Sequence, residues 1–470
     1  MFDRRQFLGT TGMVLAGLAT GCTTPGRRAA DGAATPDLLT DIQERAFRFF
    51  WDTTDPATGL TMDRWPTPSF ASIAAVGFAL TAYPIGVRHG WVTREAARAR
   101  TLATLGFFAD APQGPEPIGA SGYKGFFYHF LGVTRGHRFA RCELSTIDTA
   151  LLLGGVLFAQ SFYDGDHPDE VRIRALAEQL YRAVDWTWIV PRPPFVSMGW
   201  HPETGFIRSD WNIYNEGMIL YVLALASPTH PLPPETWPAL TDRFEASWTA
   251  EGDMPHLHFA PMFGHQYSHV WIDFRDIRDP YIATKGIDYF ENSRRATYRQ
   301  RAYAIANPGG WAGYGADGWG LTACDGPGDF TTTGGDRPRE YFSYSARGPG
   351  ERDDGTIAPT AALGSIAFAP EIVTPAITAM HARYGAGIYS QYGFLDSFNP
   401  TLTRPPQPLQ HGRIIPGIGW VDGDYLGIDQ GPIVTMIENH RTGFVWEVMR
   451  RNPHIRRGLT RAGFTGGWLS

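Results

Sequence analysis

Two kinds of helical segment alternate along the chain, and that alternation restricts the available folds more than any single motif does. Residues 70–82, 147–160, 217–226 and 356–368 keep apolar side chains at helical spacing yet carry almost no charge, so each needs protein neighbours on every side. Residues 94–100 and 169–182 carry the charges expected of a wet face. About twelve helices are read in this way, near 38–52, 71–89, 93–108, 143–163, 168–188, 214–226, 233–249, 280–304, 357–367, 370–384, 427–440 and 442–451. They come largely as consecutive pairs with short connections, and no stretch repeats the strand-helix alternation of an α/β fold. Helical hairpins in this number suggest an all-α (α/α)6 toroid, each hairpin giving one inner and one outer helix.

The first 36 residues stand apart from this pattern. Arg4-Arg5-Gln6-Phe7-Leu8 precedes an apolar stretch, 11–20, that is too short to span a bilayer but suits a signal peptide of the twin-arginine (Tat) type. The stretch ends at Leu18-Ala19-Thr20-Gly21-Cys22, which resembles a lipoprotein processing site with Cys22 lipidated, although Ala19 stands where that pattern has Leu. Ordinary cleavage near Gly21 is the alternative. The expected organisation is a signal peptide at 1–22, a flexible tether at 23–36 and a single domain at 37–470, exported by the Tat route and held in the periplasm by a lipid anchor, its only membrane contact.

The net charge of -6, with no Lys/Arg run beyond the N-terminal segment, argues against a nucleic-acid partner. Cys142 and Cys324 fit either one bridge or two buried thiols, and their spacing has no zinc pattern. His265 and His269 would offer two metal ligands only on a helix, and Gly264 with its aromatic neighbours favours a loop there. Neither metal nor cofactor is expected.

Long Gly-, Pro- and aromatic-rich stretches separate the helices at 110–142, 190–213, 252–279, 306–356 and 385–426. Loops of this length in a compact domain are usually functional, and these are expected to gather, some with short strands, over one mouth of the toroid. The chain is 13% aromatic, and many of its rings fall in these loops. Sugars pack their C–H faces on such rings and need polar partners for their hydroxyls. Trp211, Tyr214, Tyr267, Trp271 and Trp319 lie beside polar residues and are candidate glycan contacts, with loop-core packing the competing explanation for each.

Asp148, Glu216, Asp354 and Asp429 each lie where a loop enters an apolar helix. If those helices are inner ones, they run parallel and bring distant acids to one mouth. Ser145-Thr146-Ile147-Asp148 also fits a capping box, which alone would explain Asp148. On a helical wheel, however, Asp148 falls about 40° from Leu144, inside the apolar stripe of Ile147 and Leu151, and an inward-facing acid needs a partner or a pocket. Glu143 lies off that stripe, as a solvated first-turn acid would.

Several segments, in order, resemble proteins often labelled glucoamylase-like, whose characterised members form glycoside hydrolase family 144. They are the run from Gln43 to Trp51, Ser145-Thr-Ile-Asp148 with the following apolar residues, Tyr214-Asn-Glu-Gly217, the run from His265 through Tyr267 and His269 to Trp271, Trp319-Gly-Leu-Thr-Ala-Cys-Asp325, Asp354-Gly-Thr-Ile-Ala-Pro-Thr and Gly427-Ile-Asp429-Gln-Gly-Pro432. The resemblance covers about residues 40–451. It implies an (α/α)6 fold and cofactor-free, inverting hydrolysis of β-1,2-glucans, with Glu216 as general acid, matching the Tyr-Asn-Glu-Gly segment. The base is Asp429 as first choice and Asp148 as second. Glu143, Trp211, Tyr214, His265, Tyr267, His269, Trp271, Trp319, Asp325 and Asp354 are the expected substrate contacts. Endo action is expected, with exo release of sophorose, transglycosylation, or glycan binding without cleavage as alternatives. One conflict stands out: a helix N-terminus should lower the pKa of Glu216, whereas a general acid must keep its proton, so burial has to outweigh the dipole.

Overall fold

The computed structural model describes residues 37–250, 253–333 and 338–470. The expected signal peptide, the tether and Cys22 lie outside the described residues. The helices are α1 (Leu38–Thr53), α2 (Ile73–Arg88), α3 (Arg94–Asp110), α4 (Thr146–Phe162), α5 (Pro168–Ala183), α6 (Met218–Ala226), α7 (Thr236–Phe244), α8 (Phe263–Trp271), α9 (Pro280–Thr284), α10 (Tyr289–Ala306), α11 (Pro359–Leu363), α12 (Pro370–Ile388), α13 (Gly427–Arg441), α14 (Phe444–Arg450) and α15 (Pro453–Arg461).

The charge-poor helices form the inner ring of an (α/α)6 toroid. Helix α2 packs between α4 and α13, α4 reaches α6, and α11 reaches α13. Polar side chains of α8 close the remaining gap: Ser268 Oγ accepts the Ile219 N–H and donates to Glu216 O, while the Gln266 amide donates to Ala361 O and Ser365 Oγ. The outer layer sets α1 against α2 and α13, α3 and α5 against α2 and α4, α15 against α6, α10 against α8 and α12 against α11. Helices α2 and α4 meet nearly backbone to backbone, because a Cβ on Gly155 would lie 2.1 Å from Gly77 O and one on Gly77 2.3 Å from Leu151 O.

Short strands tie the loops down where the inner helices begin. Ala71–Ser72, just before α2, pairs with Phe130–Leu131; Leu144–Ser145, just before α4, pairs with Gly199–His201; and Tyr425–Leu426, just before α13, pairs with Arg64–Trp65. Ser72 and Ser145 then cap α2 and α4 by accepting the N–H groups of Ala75 and Asp148. The long loops are thereby anchored at the mouth that holds the inner-helix N-termini.

Two local expectations are corrected. Residues 263–271 form helix α8 rather than a loop: Gly264 is a packing requirement, since a Cβ there would meet the Phe259 ring at 2.1 Å, and the polar side chains of α8 find partners on adjacent helices. The C-terminal residues beyond 451, not read as helical, form α15, whose Gly458 allows contact with the α6 backbone at Val222. Cys142 and Cys324 are buried free thiols. Among the described residues no helix is long and apolar enough to cross a membrane.

Candidate active site

A cleft of about 1350 Å³ opens at this mouth. Glu143, Asp148, Trp211, Glu216, His265 and Tyr267 are among its lining residues, so segments distant in sequence converge there.

Asp148 occupies the first turn of α4. Ser145 Oγ accepts its N–H at 3.2 Å and donates to Asp148 Oδ2 at 2.5 Å, so the cap and the cleft-facing carboxylate are one device. His129 bridges two acids, with Nδ1 2.8 Å from Glu143 Oε1 and Nε2 3.4 Å from Asp148 Oδ1. Burial alone would raise the Glu143 pKa, but the charge and hydrogen bond of His129 outweigh it and hold that carboxyl at about 2. Glu143 is therefore a half-buried member of an ion-paired group rather than a solvated acid.

Glu216 sits just before Gly217, the N-cap of α6. It is 8% exposed, lines the cleft, and its Oε2 has no hydrogen-bond partner. Burial, reinforced by the Asp148 charge and only partly offset by a backbone hydrogen bond, pushes the carboxyl up to about 8. Burial thus outweighs the helix dipole, and the group carries its proton at neutral pH.

Trp211 lines the cleft with its indole N–H donated to Thr146 Oγ1 at 2.9 Å. Tyr267 also faces it and donates its hydroxyl to Ile428 O at 3.3 Å. His265 reaches the cleft wall but is locked in place: its Nδ1 lies 3.1 Å from Tyr214 Oη and its Nε2 3.0 Å from Phe259 O. Burial drives its pKa well down, so it is a neutral positioning element, and with both nitrogens engaged it is poorly suited to a metal.

Other expected contacts lie away from the lining. Tyr214 is buried beneath it, bonded to His265 and Asn292. His269 packs in the interior with Nε2 3.0 Å from Ser293 Oγ, and burial lowers its pKa to about 3. Trp271 stacks on Phe78 and donates to Thr81, and Trp319 is a core residue. Asp354 is paired in two places with the buried Arg347, at 2.9 and 2.8 Å, and accepts the Thr356 N–H. Asp325 pairs with Arg64 at 2.6 Å. Asp429 opens α13, but its carboxyl bears on Asp396, whereas its neighbour Ile428 lines the cleft. The two loop acids Asp354 and Asp325 are thus consumed in ion pairs that fasten the loops, and His269 and Trp271 in packing α8 against its neighbours.

His129, Arg299 and Glu351 line the cleft without having been singled out. His129 has a recoverable signal, a lone imidazole in an aromatic run shortly before Glu143; the other two depend on how α10 and the 306–356 loop fold over the mouth.

Residues 208–453 match the sequence model of a family described as "Putative glucoamylase". The chain is 27% identical to an exo-β-1,2-glucooligosaccharide sophorohydrolase (non-reducing end) of Parabacteroides distasonis, over 90% of this chain and 57% of that protein, so it spans little more than half the curated relative's length. Among solved structures, it is similar to a putative glucoamylase of Bacteroides uniformis, with 31% identity and a TM-score of 0.77, covering 94% of this chain and 100% of the other. It is likewise similar to an endo-β-1,2-glucanase of Chitinophaga pinensis in complex with sophorotriose and glucose, with 27% identity and a TM-score of 0.76, covering 92% and 98%.

Proposed function

Because the chain belongs to the "Putative glucoamylase" family, the glucoamylase-like group of glycoside hydrolase family 144, we propose that it hydrolyses β-1,2-glucans with inversion, acting within the chain. The observation that carries this most directly is the buried, cleft-facing Glu216, whose carboxyl is held up at about 8. Such a group can protonate the leaving glycosidic oxygen. Inversion also needs a carboxylate to activate water, about 6.5–9.5 Å from the acid. Asp148 is the better candidate for this base, since it lines the same cleft and its charge reaches Glu216, whereas Asp429 is not among the lining residues and its charge bears on Asp396.

Internal cleavage is supported by the cleft's size, about 1350 Å³, against roughly 300–1,000 Å³ for sites that hold one small molecule. Trp211 and Tyr267 supply flat surfaces for sugar rings, and Glu143 and His129 supply hydroxyl partners. Incubation with linear β-1,2-glucan should release a spread of oligosaccharides at early times, with the new anomeric centre first appearing as α. Sophorose as the sole early product would instead establish exo action, products longer than the substrate would establish transfer, and binding without new reducing ends would leave a glycan-binding protein.

We further propose export by the Tat route and lipid attachment at Cys22, on the strength of Arg4-Arg5 and the Leu18–Cys22 run. Cys22→Ala should release the protein from the membrane fraction; release of the wild type under the same extraction would contradict the anchor.

A further inference from the structure

A second concentration of charge lies outside the cleft lining. Asp325, Asp396 and Asp422 come from the two long loops at 306–356 and 385–426, and they are 0%, 3% and 1% exposed. Each offers a carboxylate oxygen, and these atoms lie within 4.8 Å of one another. Arg64 adjoins the group, 2.6 Å from Asp325 Oδ2 and 3.5 Å from both Asp63 Oδ2 and Asp424 Oδ2. Arg64 thus pairs with three of the five buried aspartates gathered here, and an uncompensated buried carboxylate is costly.

The hydrogen bonding divides each carboxylate in the same way. The Oδ2 atoms are engaged: Asp325 Oδ2 with Arg64, Asp396 Oδ2 with the Asp325 N–H at 2.7 Å, and Asp422 Oδ2 with the Asp424 N–H at 3.3 Å. The Oδ1 atoms of all three are buried and have no hydrogen-bond partner. Three buried carboxylates grouped this closely, each with an unsatisfied acceptor, call for a cation.

We propose that Asp325, Asp396 and Asp422 bind one Ca²⁺, each through a carboxylate oxygen. Calcium takes oxygen ligands at about 2.3–2.6 Å, so two ligands of one ion lie at most about 4.6–5.2 Å apart, and the 4.8 Å limit of this group falls within that span. Water would complete the coordination. Bound there, the ion clamps the 306–356 loop to the 385–426 loop and, through Arg64, to the segment leading into α2. Its role is to hold the roof of the mouth, and it is independent of the hydrolytic assignment. The ligands come from two loops without a short spacing motif, which is why no metal signal is visible in the sequence.

The alternative is retained protons: without a cation, burial and mutual repulsion push the Asp396 and Asp422 carboxyls well above the usual range. The full chain, stripped with EDTA and desalted, should bind one Ca²⁺ saturably in calorimetry. Its Tm should rise by about 3 °C at a hundredfold excess over Kd, at constant ionic strength. Asp422→Asn should melt like the stripped wild type and fail to respond to calcium. If that variant does not fold, the wild-type titration decides alone. No saturable heat and no Tm change in the wild type would overturn the site in favour of shared protons. A response to Zn²⁺ alone would also overturn it, assigning the ion instead to Asp325, His411 and Asp424, whose ligand atoms meet the same 4.8 Å limit.

Discussion

The charge of Asp148 bears directly on the Glu216 carboxyl, adding to burial in holding it protonated. The two residues stand at the beginnings of α4 and α6, which pack side by side in the inner ring. Asp148 lies within the first turn of its helix, whereas Glu216 precedes an N-cap glycine and so stands outside the first turn of its own. The helix dipole acts mainly within that first turn. Burial is the main cause that raises the Glu216 carboxyl, and its place outside the first turn leaves less of the dipole to oppose that rise.

Activity should therefore persist to about pH 8 and fall above it as Glu216 loses that proton. The check is kcat/KM against pH on β-1,2-glucan, with stability monitored in parallel. Undiminished activity at pH 10 would remove Glu216 as the proton donor.

The same shift has a consequence for folding. The folded state binds the Glu216 proton more tightly than the unfolded chain, so the stability this group contributes is fully present below the unfolded value of 4.5 and is lost as the pH rises toward about 8. Glutamine carries no such penalty. Glu216→Gln should accordingly be more stable than the wild type by roughly 2–4 kcal/mol at pH 8.5, and nearly equal to it at pH 5. Chemical denaturation at the two pH values tests the sign.

Asp148→Asn should lower kcat by about 10²–10⁴ while binding is retained. Asp429→Asn should cost less, because Asp429 is not among the lining residues and its charge bears on Asp396. Steady-state kinetics of both variants at matched fractions folded decide between the two candidate bases. A larger loss for Asp429→Asn would restore it as the base.

Gly155→Ala should destabilise the ring by about 1–3 kcal/mol through overpacking, since the added Cβ would lie 2.1 Å from Gly77 O. Gly106→Ala on α3 is the control: nothing lies within 4 Å of its Cβ, and better helix propensity should stabilise the protein by up to about 1 kcal/mol. Thermal melts of the two variants should shift in opposite directions.

The inner helices were legible because burial on all sides leaves a plain trace, a run such as 217–226 with no charge. Helix α8 was not, because its burial is achieved by matching Ser268, Gln266 and His265 to partners on other elements, and those partners are invisible in a linear chain. The same limit applies to the site. Asp148 and Glu216 could be found from their positions at helix starts, but Asp354 has the same local signature and is spent on Arg347. Trp271 and Trp319 show the equivalent ambiguity for aromatic rings, since packing a core and binding a sugar use the same face.

The most direct test of the account is the turnover of Glu216→Gln on linear β-1,2-glucan near neutral pH. Loss of the proton donor predicts a fall in kcat of at least about 10²-fold in a protein that folds and still binds the glucan. Turnover at the wild-type rate would contradict the assignment of Glu216 as the acid.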